Sequence, residues 1–396
     1  MIKEAEKLGK NLKRIRTEKG ISQVDIAKSL EVSRGFVSNL ENGKTNPTLS
    51  TMARVANALS VTTVELLEEV EIDIFENDIL KKYPGVLDIL LRDQTTGRNI
   101  FWATDNYQRL GDLFMSSSPI ESELITGQNG RVIMPRVSKN KALQDSRIKD
   151  MAEVYTPSWI CNAQNNQIDS VWLEKEDTFN KEIRLSDGTC SWKVTSKKIV
   201  FPTGKSWKDY VERKCLEIAC GEGPYLTSRY DAVTGEFIPV TERIGLFDRK
   251  LRVINENLDS PGKWLDGALA AIRSIYAYEW QGDSLLLARE ALLYTFIENY
   301  LLRFAKKPPL ESIKEVAHII SWNIWQMDGL KGIVPNSCFS NKLEAINLFN
   351  ETESNTIDCP GCINDALANH SGIYCLIKDW SNVSGHEIRF MDLARS

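Results

Sequence analysis

The sequence has few histidines: His318, His370 and His386 are the only three in 396 residues, too scattered to build a histidine-based active site. It has no Gly-x-x-x-x-Gly-Lys-Ser/Thr run, so nucleotide hydrolysis on a phosphate-cradling loop has no support. It has no uncharged apolar stretch long enough to span a bilayer; the longest, Leu285 to Leu302, carries Arg289, Glu290 and Glu298. The opening Met-Ile-Lys-Glu-Ala-Glu-Lys offers no apolar leader core, which predicts a cytoplasmic chain with no membrane partner. In that reducing compartment the eight cysteines point to metal ligation or burial before disulfides.

What is present is ordinary globular material, 42% hydrophobic and 26% charged, in a chain long enough for two or three folding units. The net charge of −5 is unevenly spread. Residues 1–64 hold seven lysines and four arginines against six acids, a net +5, which leaves −10 for the remainder. A small basic module on an acidic body is the electrostatic footprint of a nucleic-acid partner. Leu8, Leu12 and Ile15 share one helical face, and Gly20 stops that helix. Ser22-Gln23-Val24-Asp25 then offers an N-cap with an acid in the first turn of a second helix through Ile26, Ala27 and Leu30. After the short Glu31-Val32-Ser33 connection, Ser33 can cap a third helix that turns Phe36, Val37 and Leu40 inward. Two short helices joined this closely make a helix-turn-helix candidate.

Residues 21–47, ISQVDIAKSLEVSRGFVSNLENGKTNP, resemble the Cro/CI (XRE) family of helix-turn-helix domains, and the likeness extends over about residues 8–67. The resemblance implies double-stranded DNA as partner, with the third helix in the major groove. Ser33, Arg34, Ser38 and Asn39 would then lie near base edges, with Gln23 and Lys44 toward phosphates. Arg34 is the strongest of these, because a guanidinium can bond guanine O6 and N7 together. A module used only for protein contacts is the competing reading, since Gly35 shortens the reading surface. A homodimer is compatible with such a module, although no heptad marks one.

Residues 70–80 are acidic, without a clear cap or repeat, and are expected to be a linker. In the body that follows, Val154-Tyr155-Thr156-Pro157 precedes a helical pattern through Ile160, Ala163 and Ile168. Further on, Leu216 to Leu226 reads as an apolar strand ending in an acidic turn with Gly221 and Gly223, where a backbone can approach a cofactor closely.

Together, Tyr-Thr-Pro upstream and Glu-x-Ala-Cys-x-x-Gly-Pro-Tyr downstream resemble motifs X and I of gamma-class DNA adenine-N6 methyltransferases, in the same chain order. Ile275 to Glu279 with the helical run 282–293 looks like motif II, and Ile320 to Leu330 like motif III. The wider stretch 79–396 looks like restriction-modification methylase subunits. The resemblance implies S-adenosylmethionine as cofactor, held by Tyr155, Thr156, Pro157, Glu217, Cys220, Gly221 and Gly223. It gives the ribose hydroxyls to Glu279 and the adenine amine to Asp328. Asp248 competes for the ribose role, but the helix following Glu279 is the better match. Strand-end acids separated by helical segments fit a doubly wound α/β sheet with its ligand at the carboxyl edge.

Methyl transfer to adenine N6 also needs an Asn/Asp/Ser-Pro-Pro-Tyr/Phe loop, supplying an acceptor and a ring to stack the flipped base. The single Pro-Pro, Pro308-Pro309, stands between Lys307 and Leu310 and has neither. The catalytic residues are therefore unassigned, and a second methyltransferase subunit is expected to supply them. The other reading is a transcriptional regulator with an inactive methyltransferase-like body. A weaker alternative, nuclease chemistry on Glu212-Arg213-Lys214 with Asp187, rests on a tripeptide common on solvated helices.

Cys359-Pro360-Gly361-Cys362 is a knuckle-like pair, with Cys338 upstream and Cys375 downstream. These four thiolates could close a tetrahedral zinc site, with His370 as a substitute ligand; reduced, unliganded thiols are the alternative. Cys161, Cys190, Cys215 and Cys220 read as buried thiols. The expected architecture is an all-α helix-turn-helix domain (1–69), the linker (70–80) and a Rossmann-like methyltransferase domain (81–335). A small, Cys-containing, zinc-binding extension (336–396) completes it.

Overall fold

The computed structural model describes residues 5, 8–9, 11–13, 15–16, 19, 21–67, 76–139, 147, 156–186, 188–339, 341–346, 352–364, 369–382 and 384–393; for 64–65, 341–346 and 352–357 it describes the backbone alone. Two compact units form, Met1–Ile72 with Glu236–Arg243, and Asp73–Gly235 with Ile244–Ser396.

In the first unit α1 (Gln23–Leu30) starts at a reciprocal capping box: Ser22 Oγ accepts the Asp25 amide, and the Asp25 carboxylate accepts that of Ser22. The helix stops where Glu31 turns left-handed (φ 57°), and three residues later Ser33 Oγ accepts the Phe36 amide to start α2 (Arg34–Glu41). The helices α3 (Leu49–Ala58) and α4 (Thr63–Leu67) follow. Leu12, Ile26, Val37, Leu40, Val55, Leu59 and Leu66 form their common core. Gly9 lies so near the carbonyls of Leu40 and Glu41 that a β-carbon there would collide with them.

The second unit mixes helix and sheet. It begins with α5 (Glu76–Lys82) and α6 (Val86–Leu91), then α7 (Ser158–Leu173) and an antiparallel hairpin of β1 (Asn180–Arg184) and β2 (Cys190–Val194). Residues 76–80 are thus helix rather than linker: acids occupy the first turn of α5, Lys81 and Lys82 the last, and Ile79 is buried in the body's core. The central sheet is parallel, β3 (Cys215–Glu217), β4 (Ile275–Glu279) and β5 (Ile324–Gln326), in that spatial order. The helices α8 (Leu246–Asn257) and α9 (Pro261–Arg273) join β3 to β4, and α10 (Gly282–Phe304) and α11 (Leu310–Asn323) join β4 to β5.

Alternate strand residues face opposite ways. Ile275, Ala277 and Ile324 pack with Ile254, Ala268, Ile272, Leu285 and Ile320 of those helices. Tyr276, Tyr278 and Trp325 face a separate cluster with Met327, Val334, Cys375, Ile377, Ile388 and Phe390. Its cover is the hairpin of β8 (Leu376–Asp379) and β9 (His386–Arg389); a further hairpin pairs β6 (Asn341–Ile346) with β7 (Thr352–Ile357). The sheet among the described residues is therefore not doubly wound. Its strands step in one direction, right-handed crossovers put both helix pairs on one face, and the reversal that would bring helices to the other is not there. Nor is 336–396 a separate appendage, since Cys375 and Ile377 belong to the core over the sheet.

The helix α10 is buried along most of its length. Its Arg289, fully buried, donates to the carbonyls of Ile324, Ser321, Leu90 and Arg92, tying β5, α11 and the end of α6 together. Gly282 opens α10 where a β-carbon would strike the Phe101 carbonyl, and its amide bonds the carbonyl of Trp102 at 3.1 Å.

Candidate functional site

Three groups of side chains carry chemistry. On α2, Arg34 and Ser38 lie one turn apart, Asn39 and Asn42 extend the same face, and Val37 and Leu40 point into the core. Ser33, Arg34, Asn39 and Lys44 are exposed, while Gln23 and Ser38 are half-buried. The face is held from behind by a chain of polar contacts. Arg16 Nε meets Glu41 Oε1 at 2.5 Å, Gln23 Nε2 donates to Glu41 Oε2 at 2.7 Å, and Arg34 Nε reaches Gln23 Oε1 at 3.4 Å. Glu41, almost wholly buried, thus orients Gln23 and through it Arg34. Sequence reasoning missed Arg16 and Glu41, whose partnership spans 25 positions and leaves no local signal.

The second group lies at the carboxyl edge of the sheet. Glu217 and Glu279 end β3 and β4, and Asp328 stands two residues beyond β5. After β3 the backbone turns left-handed at Ala219, Gly221 and Gly223, and the Cys220 amide bonds the Tyr278 carbonyl at 3.0 Å. The Glu279 carboxylate accepts the amides of Gly221 (2.8 Å), Trp280 (2.8 Å) and Gln281 (3.1 Å). Burial pushes its carboxyl above the usual range against those three bonds. Burial raises Glu217 well above it too; the amides of Tyr225 and Leu226 oppose the shift, and Oε2 is a buried oxygen with no hydrogen-bond partner among the described residues. Asp328 Oδ1 accepts the amides of Leu330 and Lys331, and Oδ2 lies 3.7 Å from Lys331 Nζ.

Thr156 and Pro157 lie against this loop: the Thr156 hydroxyl bonds that of Tyr225, and the Ser158 amide, at the start of α7, donates to Asp231 at 2.7 Å. Tyr155 lies outside the described residues, as does Asp187 of the nuclease alternative. Asp248 is on α8, where Oδ2 accepts the amides of Ser228 and Gly245, a helix-capping role away from any strand end. Of the cysteines read as buried thiols, Cys161 and Cys220 are buried but Cys190 and Cys215 only half so.

A cluster absent from the sequence reading adjoins Glu279. Asp283, fully buried at the start of α10, meets Arg147 at 2.9 Å, Lys139 at 3.5 Å and the Tyr107 hydroxyl at 2.7 Å, while Arg147 also donates to Gln281. Burial acts to raise the Asp283 carboxyl, but the two cations overcome it and hold it far below the usual range.

The third group is Cys338, Cys359, Cys362 and His370, whose ligand atoms all lie within 4.8 Å of one another and could hold a metal ion. His370 Nδ1 is 3.6, 3.6 and 3.7 Å from the three sulfurs. Gly361, inside the knuckle, lets the imidazole approach: a β-carbon there would lie 2.6 Å from Nδ1. The fourth position is thus His370 and not Cys375. The Cys375 sulfur is fully buried over the sheet, donates to the Gln326 carbonyl at 3.4 Å, and burial raises its thiol well above the usual value. The cluster is fastened to the Asp328 turn by a short ladder: Asp328 N–H to Ile333 O, Val334 N–H to Ile373 O, and Cys375 N–H to Gly332 O.

The first unit, with two capped helices joined by a tight turn and a polar face on the second, defines a helix-turn-helix protein. Residues 12–66 match the family described as helix-turn-helix, and the chain belongs to that family. It is 40% identical over 94 residues, 24% of this chain and 71% of the other, to the HTH-type transcriptional regulator DdrOP3 of Deinococcus deserti. It is 33% identical over 66 residues, 16% of this chain and 89% of the other, to the control protein C.MunI of a Mycoplasma species. Among solved structures, the restriction-modification controller protein C.AhdI of Aeromonas hydrophila is 34% identical, covering 16% of this chain and 94% of its own, with a TM-score of 0.15.

Proposed function

We propose that this chain is a DNA-binding component of a restriction-modification system whose body binds S-adenosylmethionine for adenine-N6 methylation, with a second chain supplying the Asn/Asp-Pro-Pro-Tyr loop. The observation that carries it is the set of acids, Glu217, Glu279 and Asp328, at one edge of a parallel sheet in chain order. The donors and acceptors fit that cofactor. The orphaned Glu217 Oε2 can take its ammonium group, Glu279 retains acceptor capacity for the ribose hydroxyls, and Asp328 Oδ2 can take the adenine amine. When bound, the sulfonium supplies an activated methyl group. The chain's own share is binding and orientation: Gly221 and Gly223 allow close backbone approach, and the capped turn of Asp328 fixes its carboxylate. In the N-terminal unit, Arg34, with Ser33, Ser38 and Asn39, reads bases of double-stranded DNA while Gln23 and Lys44 hold phosphates. Cys338, Cys359, Cys362 and His370 hold structural zinc.

The names of the N-terminal relatives, a transcriptional regulator and restriction-modification control proteins, favour a second reading: a regulator whose body senses rather than methylates. Calorimetric titration with S-adenosylmethionine tests the first. Saturable one-site binding, weakened by Glu279→Ala, is expected; a folded chain that binds none sinks the cofactor reading and leaves the regulator.

A further inference from the structure

The sheet has one open edge. The strand β3 pairs only with β4, and no described residue pairs with its other side. In a parallel ladder the N–H and C=O of one residue point to one neighbour and those of the next residue to the other. The Cys215 amide donates to the Ser274 carbonyl at 2.9 Å, so the backbone groups of Leu216, and after Glu217 those of Ile218, face outward. The edge is apolar as well as open: Leu216 is 48% and Ile218 66% exposed, with no proline or inward charge of the kind that blunts natural edges. Beside it a groove of about 210 Å³ runs over Leu216, Tyr276, Trp325, Ile377, Ile388 and Phe390.

We propose that this edge receives one parallel β-strand from a second polypeptide, the one whose Asn-Pro-Pro-aromatic loop completes the site; this rests on the methyltransferase reading above. Two arguments fix the occupant. In open α/β sheets the ligand crevice lies at the carboxyl end of the strand where the winding order reverses. Here the strands step from β3 to β4 to β5 and never reverse, so the crevice beside Glu217 has one wall. A second copy cannot build the other wall, because a two-fold would lay β3 antiparallel to its mate and aim the mate's carboxyl edge away. Charge complementarity narrows the partner further. The carboxyl end of β3 already carries Glu217 and the neighbouring Glu279, so the entering strand ends in a neutral acceptor, asparagine rather than aspartate.

The test places a photo-crosslinking amino acid at Leu216 of the full chain in the cells it comes from, with Val171, 77% exposed on α7, as control position. Crosslinked peptides are then sequenced. The expected product joins Leu216, and not Val171, to a strand just before an Asn-Pro-Pro-Tyr/Phe sequence in another protein. Ile218→Pro removes an outward donor without touching the β4 ladder and should cut the yield about tenfold for one or two lost backbone bonds. Leu216→Lys, which cannot break the backbone, serves as a second block in the same assay with the crosslinker moved to Ile218. Crosslinks to this chain's own peptides, to a protein without that sequence, or none at all overturn the proposal. Titration of the same preparation with S-adenosylmethionine separates the failures: cofactor binding with an empty edge sinks the docking strand alone, whereas no binding sinks the parent reading.

Discussion

Removing either the metal or one ligand of the Cys338, Cys359, Cys362 and His370 cluster gives the sharpest check on the second unit. Zn–S bonds of about 2.3 Å and Zn–N bonds of about 2.0 Å at tetrahedral angles put ligand nitrogen and sulfur about 3.6 Å apart. The three Nδ1···Sγ distances, 3.6, 3.6 and 3.7 Å, already match, so zinc should enter without rearrangement. The thiols are not equivalent. Burial leads the shift that pushes Cys338 up to about 11, whereas hydrogen bonding from Ser371 leads the one that draws Cys359 down to about 5. Metal binds the thiolate, so between pH 6 and 8 Cys338 must lose a proton on binding and Cys359 need not. Zinc affinity should therefore rise with pH, by at least about tenfold per unit from Cys338 alone, and fall on acidification. Zinc content by mass spectrometry and a competitive chelator titration across that window measure both quantities. One zinc per chain is expected, retained in Cys375→Ser and lost in His370→Ala. A pH-independent affinity, or the reverse order of the two variants, refutes the assignment.

Arg34→Ala should weaken specific DNA binding by about 1–3 kcal/mol and relax preference at one base pair, whereas Lys44→Ala should lower the salt dependence by about 0.9 in log–log slope. Fluorescence anisotropy at several salt concentrations separates them; equal losses on all sequences would remove Arg34 from base reading. Arg289→Met strips the donors from four buried carbonyls and should lower the stability of the second unit by at least about 3 kcal/mol in urea. An unshifted midpoint would show that the clamp is dispensable. Asp283 has its folded carboxyl below the unfolded value of about 3.8, so its contribution is complete above that pH and is lost as pH falls beneath it. Asp283→Asn should cost about 3–5 kcal/mol by leaving Lys139 and Arg147 buried without their anion, and should flatten the acid limb of stability against pH; an unchanged acid limb argues otherwise.

The helix-turn-helix was legible because its signals are local. Ser22 with Asp25, Ser33 with Phe36, and the spacing of Val37 and Leu40 each act within one turn of helix. The strand-end acids were legible for a similar reason, since each closes an apolar run. Sequence could not distinguish His370 from Cys375, because spacing says only that a ligand is near; the ladder from Asp328 to Cys375 decides which side chain swings to the knuckle. The linker reading failed at Ile79, whose acidic neighbours suggested solvent although the residue itself is core. Winding was also invisible: a strand–helix–strand pattern reads the same whether the next strand joins one side of the sheet or the other. The grouping of Lys139, Arg147 and Asp283 had no signal, its members lying more than 130 positions apart.

Gln326 has a consequence for assembly. Its side-chain amide donates to the Phe101 carbonyl at 2.8 Å and accepts the Phe101 amide at 3.1 Å, so it acts as a substitute peptide group at the far end of the sheet. One border of the sheet is thereby sealed from within while the other stays open. Fibrous growth needs two borders that accept one another, and a sheet with a single open border can be extended once and no further. Whatever joins there does so with one-to-one stoichiometry.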